Sequence, residues 1–524
     1  MKGHLIAAAT AAALVAASCS SGGDSILQSG NEAATTVGAA TTLAAPAGTA
    51  GTDGTDGTDG TAGTAAPGET TPAPSTRAVT TTTIAGIDLP PCPVDALDDA
   101  DGTVEVLMWH GLTGATDDGI EFLAAEYNAS QSKVRVKLEP QGSYDSTIDK
   151  YVQTSQGSRP DLVMFPEYVV QQTIDSDSVI PIESCIRASG FDTATLQPAA
   201  LKAYTTVGVQ WAMPFNVSNP VLYFNRSMFS EAGLDPEQPP QSLEELRQYS
   251  QAIVDSGAAS YGVAIDSGTD SGGGWFIEQW FANAGELYAD NENGRAAPAT
   301  RVLYDGETGV ELMTFIQEMV LDGLAFYVGG NGSGQDNFLK LADQSEPAAM
   351  TIGTSAALGT VFDALDGGLI PGLTGDDVGI GPLPGPSGTP TALVGGAALY
   401  IVADHGDETA AAAWDFITYL VSAQSQSEWA VQTGYVPIRT DALDLDPVAS
   451  KYVEDPRFRV AYDQLIGSPD EPALQGPILG PQRDVRVVTA LAVAEILEGG
   501  DVQAALSAAA EQANLLIADY NTHN

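Results

Sequence analysis

Residues 214–225 read PFNVSNPVLYFN, and this stretch decides the fold. It opens on polar, turn-prone residues, Asn216, Ser218, Asn219 and Pro220. It then becomes a β-favouring run, Val221 to Phe224, closed by Asn225. Pro220 biases Asn219 toward an extended backbone. Val221, Tyr223 and their neighbours suit a buried strand. Directly behind lies RSMFSEAGLDPEQPPQSLEELRQYSQAI, read as a helix, a loop and a second helix. Ser242 with Glu245 three residues later is a capping box opening that second helix. We read the whole as the segment joining two halves of the chain: a turn leaves one half and a strand enters the other.

Upstream, the pattern starts abruptly at Thr103. Thr103 to Trp109 is a strand, and Asp117 or Asp118 caps a helix with Ile120, Leu123 and Tyr127 at helical spacing. Val134, Val136 and Leu138 alternate as a strand; a helix near Thr147 to Gln156 and the strand DLVMF follow. This β-α-β-α-β order predicts a mainly parallel sheet with helices on both faces. Ligands of such sheets sit beyond the carboxyl ends of the strands, where the loops after MWHG, QGSY and FPEY would lie. Downstream, helices are expected at Ser242–Asp255, Gly306–Leu321 and Ser355–Leu365. Trp275, Phe276, Trp280 and Phe281 cluster after a SGGG turn. LVGGAALYIV would return the chain to the first half, and a helix would cover Glu408–Gln424. QTGYVPI would cross again, with Gly434 ending the helix before it. Helices over Val485–Leu497 and Val502–Asp519 then return to the second half.

The chain has 524 residues, enough for two lobes of ordinary domain size. Lys+Arg 20 against Asp+Glu 68 gives a formal charge of −48. Nucleic acid is therefore a poor partner, because phosphate backbones are held by basic patches. The three cysteines and four histidines form no CxxC or HExxH, so no metal site of common spacing is expected. There is no GxxxxGK[ST] phosphate loop either.

Residues 1–18 have a positive start at Lys2 and an apolar run, Leu5 to Ala17, too short to span a bilayer comfortably. Ala16-Ala17-Ser18-Cys19 resembles a bacterial lipoprotein cleavage site, although that pattern prefers Leu where Ala16 stands. An ordinary signal peptide is the alternative. Residues 19–90 are rich in Gly, Thr, Ala, Pro and Ser around GTDGTDGTDGT, and lack the apolar area to offset chain entropy. They read as a disordered tether averaging roughly 45 Å end to end. Export makes Cys92 and Cys185 a structural disulfide, with free thiols as the alternative.

PFNVSNPVLYFNRSMFSEAGLDPEQPPQSLEEL resembles the first hinge crossing of the extracellular solute-binding proteins (family 1) of ABC importers. VLMWHGLTG, QGSYDSTI, FPEY, AAMTIGTSAAL, LVGGAALYIV, QTGYVPI and PQRDVRVV agree in order, so the resemblance runs from Val104 to the C-terminus. It is most similar to the branch that binds sn-glycerol 3-phosphate. The resemblance implies an α/β fold of two hinge-linked lobes with mainly parallel sheets. Residues 91–220 and 393–434 would form lobe 1, and 221–392 and 435–524 lobe 2. It implies a monomer without catalysis or cofactor, delivering a small solute to separate permease subunits; the cleavage-site pattern before Cys19 would add a lipid anchor there, holding the protein at the outer face of the cytoplasmic membrane.

Carried over residue by residue, the family implies ligand contacts from Tyr144, Glu167, Ser218, Trp275, Ser355 (Thr354 its competitor), Gly395 with Gly396, Tyr435 and Arg486. Phosphate would meet Ser218, Ser355, Gly395, Tyr435 and Arg486, whose planar fork suits it. Glu167 would accept from glycerol hydroxyls. The branch carries two tryptophans three residues apart in the loop matching SGGGWFIEQWF. Here Trp275 holds the second place and Gly272 the first, which would remove a wall and admit a glycerophosphodiester. Two other readings stand beside this one. One is an oligosaccharide receptor using Trp275, Trp280 and Trp211 as platforms. The other is an exported hydrolase using a carboxylate pair, against which stands the lack of a GxSxG elbow.

Overall fold

A computed structural model describes residues 82–84, 86–332 and 334–524. The expected leader, Cys19 and most of the expected tether lie outside the described residues. The end of the tether does not: β1 (Thr82–Ile84) and β2 (Ile87–Leu89) pair as an antiparallel hairpin, so the expected unstructured run stops short of residue 90.

The first sheet is built as its alternation demands. β3 (Val104–His110) pairs in parallel with β4 (Val134–Pro140) and β5 (Leu162–Pro166). Val106 and Met108 enter one core, and Leu107 and Trp109 pack on the other, so helices must cover both faces. Between the strands run α1 (Ala115–Ser130) and α2 (Tyr144–Gln153). Ile120, Leu123 and Tyr127 are buried as their spacing requires. The N-cap of α1 is Gly114, however; Asp117 and Asp118 sit in its first turn, where they complement the helix dipole instead. α2 also starts earlier than expected, because Ser143 Oγ accepts from the Ser146 amide at 3.0 Å and caps it.

After β6 (Val179–Ile180) and a ribbon of β7 (Thr205–Thr206) with β8 (Val209–Gln210), the chain reaches the crossing. Its polar half is no turn. β9 (Met213–Ser218) and β10 (Pro220–Asn225) are both strands, buried at every position, with Asn219 alone between them. β9 pairs with the first sheet, and β10 joins the second. Asn219 is held from three sides at this joint. Its Nδ2 donates to the Ala461 carbonyl (2.9 Å), its Oδ1 accepts from Gln464 Nε2 (3.0 Å), and its carbonyl accepts from the Ser355 amide (2.9 Å). An amide buried there without partners would cost about 1–3 kcal/mol.

The second half continues through α3 (Leu243–Ser256), β11 (Tyr261–Ile265), α4 (Trp275–Asn283), α5 (Glu307–Leu321), β12 (Ala325–Tyr327), β13 (Ala348–Thr354), α6 (Leu358–Asp366) and β14 (Val378–Pro382). The Ser242–Glu245 capping box opens α3 as read. The expected helix at Ser355 begins as a 3-10 turn, Ser355–Ala357, before α6. β15 (Gly395–Val402) then returns to the first sheet between β5 and β6. The helix expected over Glu408–Gln424 is two, α7 (Asp407–Leu420) and α8 (Ala423–Thr433), because Ser422 Oγ accepts from the Ser425 amide and caps a new start. Gly434, at φ 87°, ends α8 as expected. The third crossing lies beside the first: the Val436 amide donates to the Val217 carbonyl at 2.7 Å. α9 (Gln482–Leu497) and α10 (Val502–His523) close the second half against α5.

The two sheets run β4-β3-β5-β15-β6, with β9 on β15, and β12-β11-β13-β10-β14. The two lobes are α/β, but their sheets are mixed rather than mainly parallel. The strands that carry the crossings, β10 and β15, run antiparallel to each of their neighbours. One core passes through the joint: Val221 and Tyr223 share it with Val217, while Leu222 and Phe224 on the opposite face belong to the second lobe's own core. Cys92 and Cys185 are disulfide-bonded, Cα atoms 4.9 Å apart across a separation of 93 residues.

Candidate functional site

The lobes enclose a cavity of about 380 Å³. Its walls come partly from the starts of helices. Thr113 and Thr116 bracket the first turn of α1, Tyr144 begins α2, Trp275 begins α4, and Thr354 and Ala356 lie where the 3-10 turn leads into α6. Helix N-termini carry partial positive charge, so these walls favour an anionic group, although the Thr116, Trp275 and Ala356 amides are already bonded to the Thr113 carbonyl, the Thr269 carbonyl and Thr354 Oγ1.

Tyr144 is placed by a close approach. A side chain at Gly111 would sit 2.5 Å from the Ser143 carbonyl carbon and the Tyr144 amide, so only glycine lets β3 and α2 meet there. The Tyr144 hydroxyl accepts from Asn216 Nδ2 at 2.7 Å and lies 3.4 Å from the Tyr435 hydroxyl. Ser218, the last residue of β9, lines the cavity with a hydroxyl that has no partner among the described residues. Gly396 lines it too, at φ 96°, and a side chain there would strike the Asn216 carbonyl at 1.9 Å. The Trp275 indole reaches back across the joint, and its Nε1 is buried without a partner.

Arg486 enters from α9 and is almost fully buried. Its Nε donates to Glu278 Oε1 (2.8 Å), and its Nη2 to Glu278 Oε2 (2.7 Å) and Glu167 Oε1 (3.0 Å). Its Nη1 lies 3.6 Å from Asp270 Oδ1, and the Tyr168 ring covers it at 4.9 Å. Burial alone would discourage the guanidinium charge; the Glu278, Glu167 and Asp270 carboxylates outweigh it and hold its pKa well above the usual range. Glu167 responds in the other direction. Burial pushes its carboxyl up to about 7, with Arg486 pulling it down and Glu278 adding to the rise.

Six of the expected ligand residues line this cavity: Tyr144, Glu167, Ser218, Trp275, Tyr435 and Arg486. Two do not. Ser355 is fully buried at the joint, where its Oγ accepts from the Asn219 amide at 3.3 Å, and Thr354 takes its place on the wall. Gly395 lies behind the Trp275 indole, which a side chain would meet at 2.2 Å, and Gly396 lines the cavity instead. Gly272 is also misassigned. It is off the cavity, and a side chain there would strike the Asp266 carbonyl at 2.0 Å, so it is not a missing wall. The cavity-facing residues of this loop are Gly268 to Ser271.

Sequence reasoning missed Glu278, Asp270 and Tyr168. Glu278 had a signal: it is a lone carboxylate inside the apolar run WFIEQWF, and a charge in such a helix needs a buried partner. Among the described residues, no group of three or more His, Cys, Asp or Glu is arranged to hold a metal ion.

Two hinge-linked α/β lobes closing on a cavity walled partly by helix N-termini define a receptor for a small solute. The chain belongs to the bacterial extracellular solute-binding protein family, whose model matches residues 123–459. It is a solute-binding protein of an ABC importer. It is 26% identical over 430 residues to the sn-glycerol-3-phosphate-binding periplasmic protein UgpB of Shigella flexneri, covering 80% of this chain and 93% of that protein. Against the UgpB of Escherichia coli K12 the identity is 25% over the same shares. Among solved structures, UgpB of Mycobacterium tuberculosis in complex with glycerophosphocholine aligns at TM-score 0.65 and 21% identity, over 80% of this chain and all of that one. The cyclic α-maltosyl-1,6-maltose binding protein of Arthrobacter globiformis aligns at 0.62 and 20%, over 79% and 99%.

Proposed function

We propose that this protein captures a glycerophosphodiester in the interlobe cleft and delivers it intact to ABC permease subunits. Lobe 1 comprises residues 91–220 and 393–434, and lobe 2 residues 221–392 and 435–524. The protein acts as a monomer, held at the outer face of the cytoplasmic membrane by lipidated Cys19. The observation that carries the ligand class is the Ser218 hydroxyl on the cavity wall, without a partner among the described residues, beside the Trp275 indole, whose buried Nε1 also lacks one. A phosphate seated there meets Ser218, Thr354, Gly396 and Tyr435. Arg486 is not its main ligand, because Glu278 and Glu167 already take its Nε and Nη2 donors and leave only Nη1. Glu167 and Arg486 instead face the glycerol hydroxyls. A cavity of about 380 Å³ lies within the range for drug-sized ligands, more than glycerol 3-phosphate fills.

An oligosaccharide is the second reading, supported by Tyr168, Trp275 and Phe276 on the wall. Of the three tryptophans expected as platforms only Trp275 is there; Trp280 is buried in the second core with its Nε1 on the Pro384 carbonyl (3.1 Å), and Trp211 is off the cavity. Intrinsic tryptophan fluorescence tests reception against turnover. A glycerophosphodiester should shift the emission saturably and be recovered chemically intact. Recovery of hydrolysed ligand would replace the receptor with the hydrolase.

A further inference from the structure

The charge of the cleft bears directly on which diester it selects. Among the described residues, Arg486 is the only basic one on the cavity wall. Its charge is cancelled inside its own lobe by Glu278, bound through two hydrogen bonds of 2.8 and 2.7 Å. Two further carboxylates, Glu167 and Asp270, face the cavity. The cleft is therefore anionic apart from its helix N-termini, an unfavourable setting for a phosphomonoester dianion and a better one for a ligand carrying its own cation.

Asp270 stands apart from the other two. Its carboxylate is about one-third exposed, accepts no hydrogen bond among the described residues, and touches Arg486 only at 3.6 Å. It is nevertheless held in place. Asp266, buried beneath the loop, accepts from the Gly268 amide (2.9 Å), the Gly272 amide (3.1 Å) and the Ser271 hydroxyl. The Trp275 amide closes the loop on the Thr269 carbonyl at 3.2 Å. Asp270 thus projects from a braced turn onto a wall that also presents Tyr168, Trp275 and Phe276. A carboxylate with aromatic faces is the environment that receives a quaternary ammonium.

We infer that Asp270 is a specificity-determining residue: it selects, among glycerophosphodiesters, those whose second alcohol carries a positive charge. This rests on the diester reading and narrows it. Calorimetry on the full-length chain tests it with three probes: glycerophosphocholine, the uncharged-headgroup diester glycerophosphoglycerol, and glycerol 3-phosphate. Wild type should bind the choline diester on the order of tenfold tighter than the glycerol diester, a preference that shrinks as salt rises. Asp270→Asn should abolish that preference, weakening the choline diester on the order of tenfold more than the glycerol diester. Equal wild-type affinities for the two diesters would overturn the inference and leave the diester reading standing. So would an Asp270→Asn variant weakened equally for both, which would mark a merely structural role. Failure of both diesters to bind wild type would overturn the diester reading and this inference with it.

Discussion

Glu278→Gln tests the internal neutralisation of Arg486. Both side chains are 3% exposed, and Glu278 accepts from Nε and Nη2 while Gln482 Nε2 donates to its Oε1 at 3.2 Å. The amide keeps one acceptor, loses the charge, and turns an NH₂ toward a guanidinium. Breaking a buried pair typically costs about 3–5 kcal/mol. Arg486 keeps Glu167 at 3.0 Å and Asp270 at 3.6 Å, which brings the expected loss to about 2–3 kcal/mol. Urea denaturation at pH 7, followed by circular dichroism, reads this directly. A second signature lies in the pH dependence. Glu167 has a folded pKa raised to about 7 from the model-compound 4.5, so its contribution to stability is full below about 4.5 and is lost as pH rises through 7. Removing the Glu278 charge lowers the Glu167 pKa and flattens that decline. A variant as stable as wild type to within about 0.5 kcal/mol, with an unchanged slope between pH 4.5 and 7, would refute the reasoning.

Replacing Cys92 and Cys185 by Ser should cost about 2–5 kcal/mol; intact-mass analysis after alkylation that finds both thiols free in wild type contradicts the pairing. Cys19→Ser should release the protein from the membrane fraction, and wild-type levels of membrane association in the variant would remove the lipid anchor. Trp275→Phe keeps a ring against Gly395 but deletes the unpartnered Nε1 donor. It should weaken phosphodiester binding by about 1 kcal/mol while stability stays near wild type; unchanged affinity would show that the indole N–H does not meet the ligand.

The crossings were legible because their punctuation is strong: a proline after Asn219, glycines at 395, 396 and 434, and apolar runs on either side. β9 was misread because its polar residues signal a turn when water is assumed, whereas Asn216 and Ser218 are buried and face the cleft or its lining. A strand that builds a binding site carries polar side chains where a core strand would carry apolar ones. The one-residue errors at Ser355 and Gly395 have a related cause. Neighbouring residues of an extended segment face opposite sides, so a family correspondence imprecise by one position changes wall into interior. Gly272 failed for another reason. An absent side chain was read as empty space, but the space is taken by the Asp266 backbone. The Arg486–Glu278 pair was out of reach because its partners are 208 residues apart and no periodicity links them.

The central claim is that the cleft holds a glycerophosphodiester. Isothermal titration of the full-length chain with glycerophosphocholine, against glycerol 3-phosphate and a maltooligosaccharide, tests it most directly. The account predicts one diester bound per chain at micromolar affinity or better, glycerol 3-phosphate bound more weakly, and no heat from the sugar. Saturable binding of the maltooligosaccharide with no response to glycerophosphocholine would contradict it.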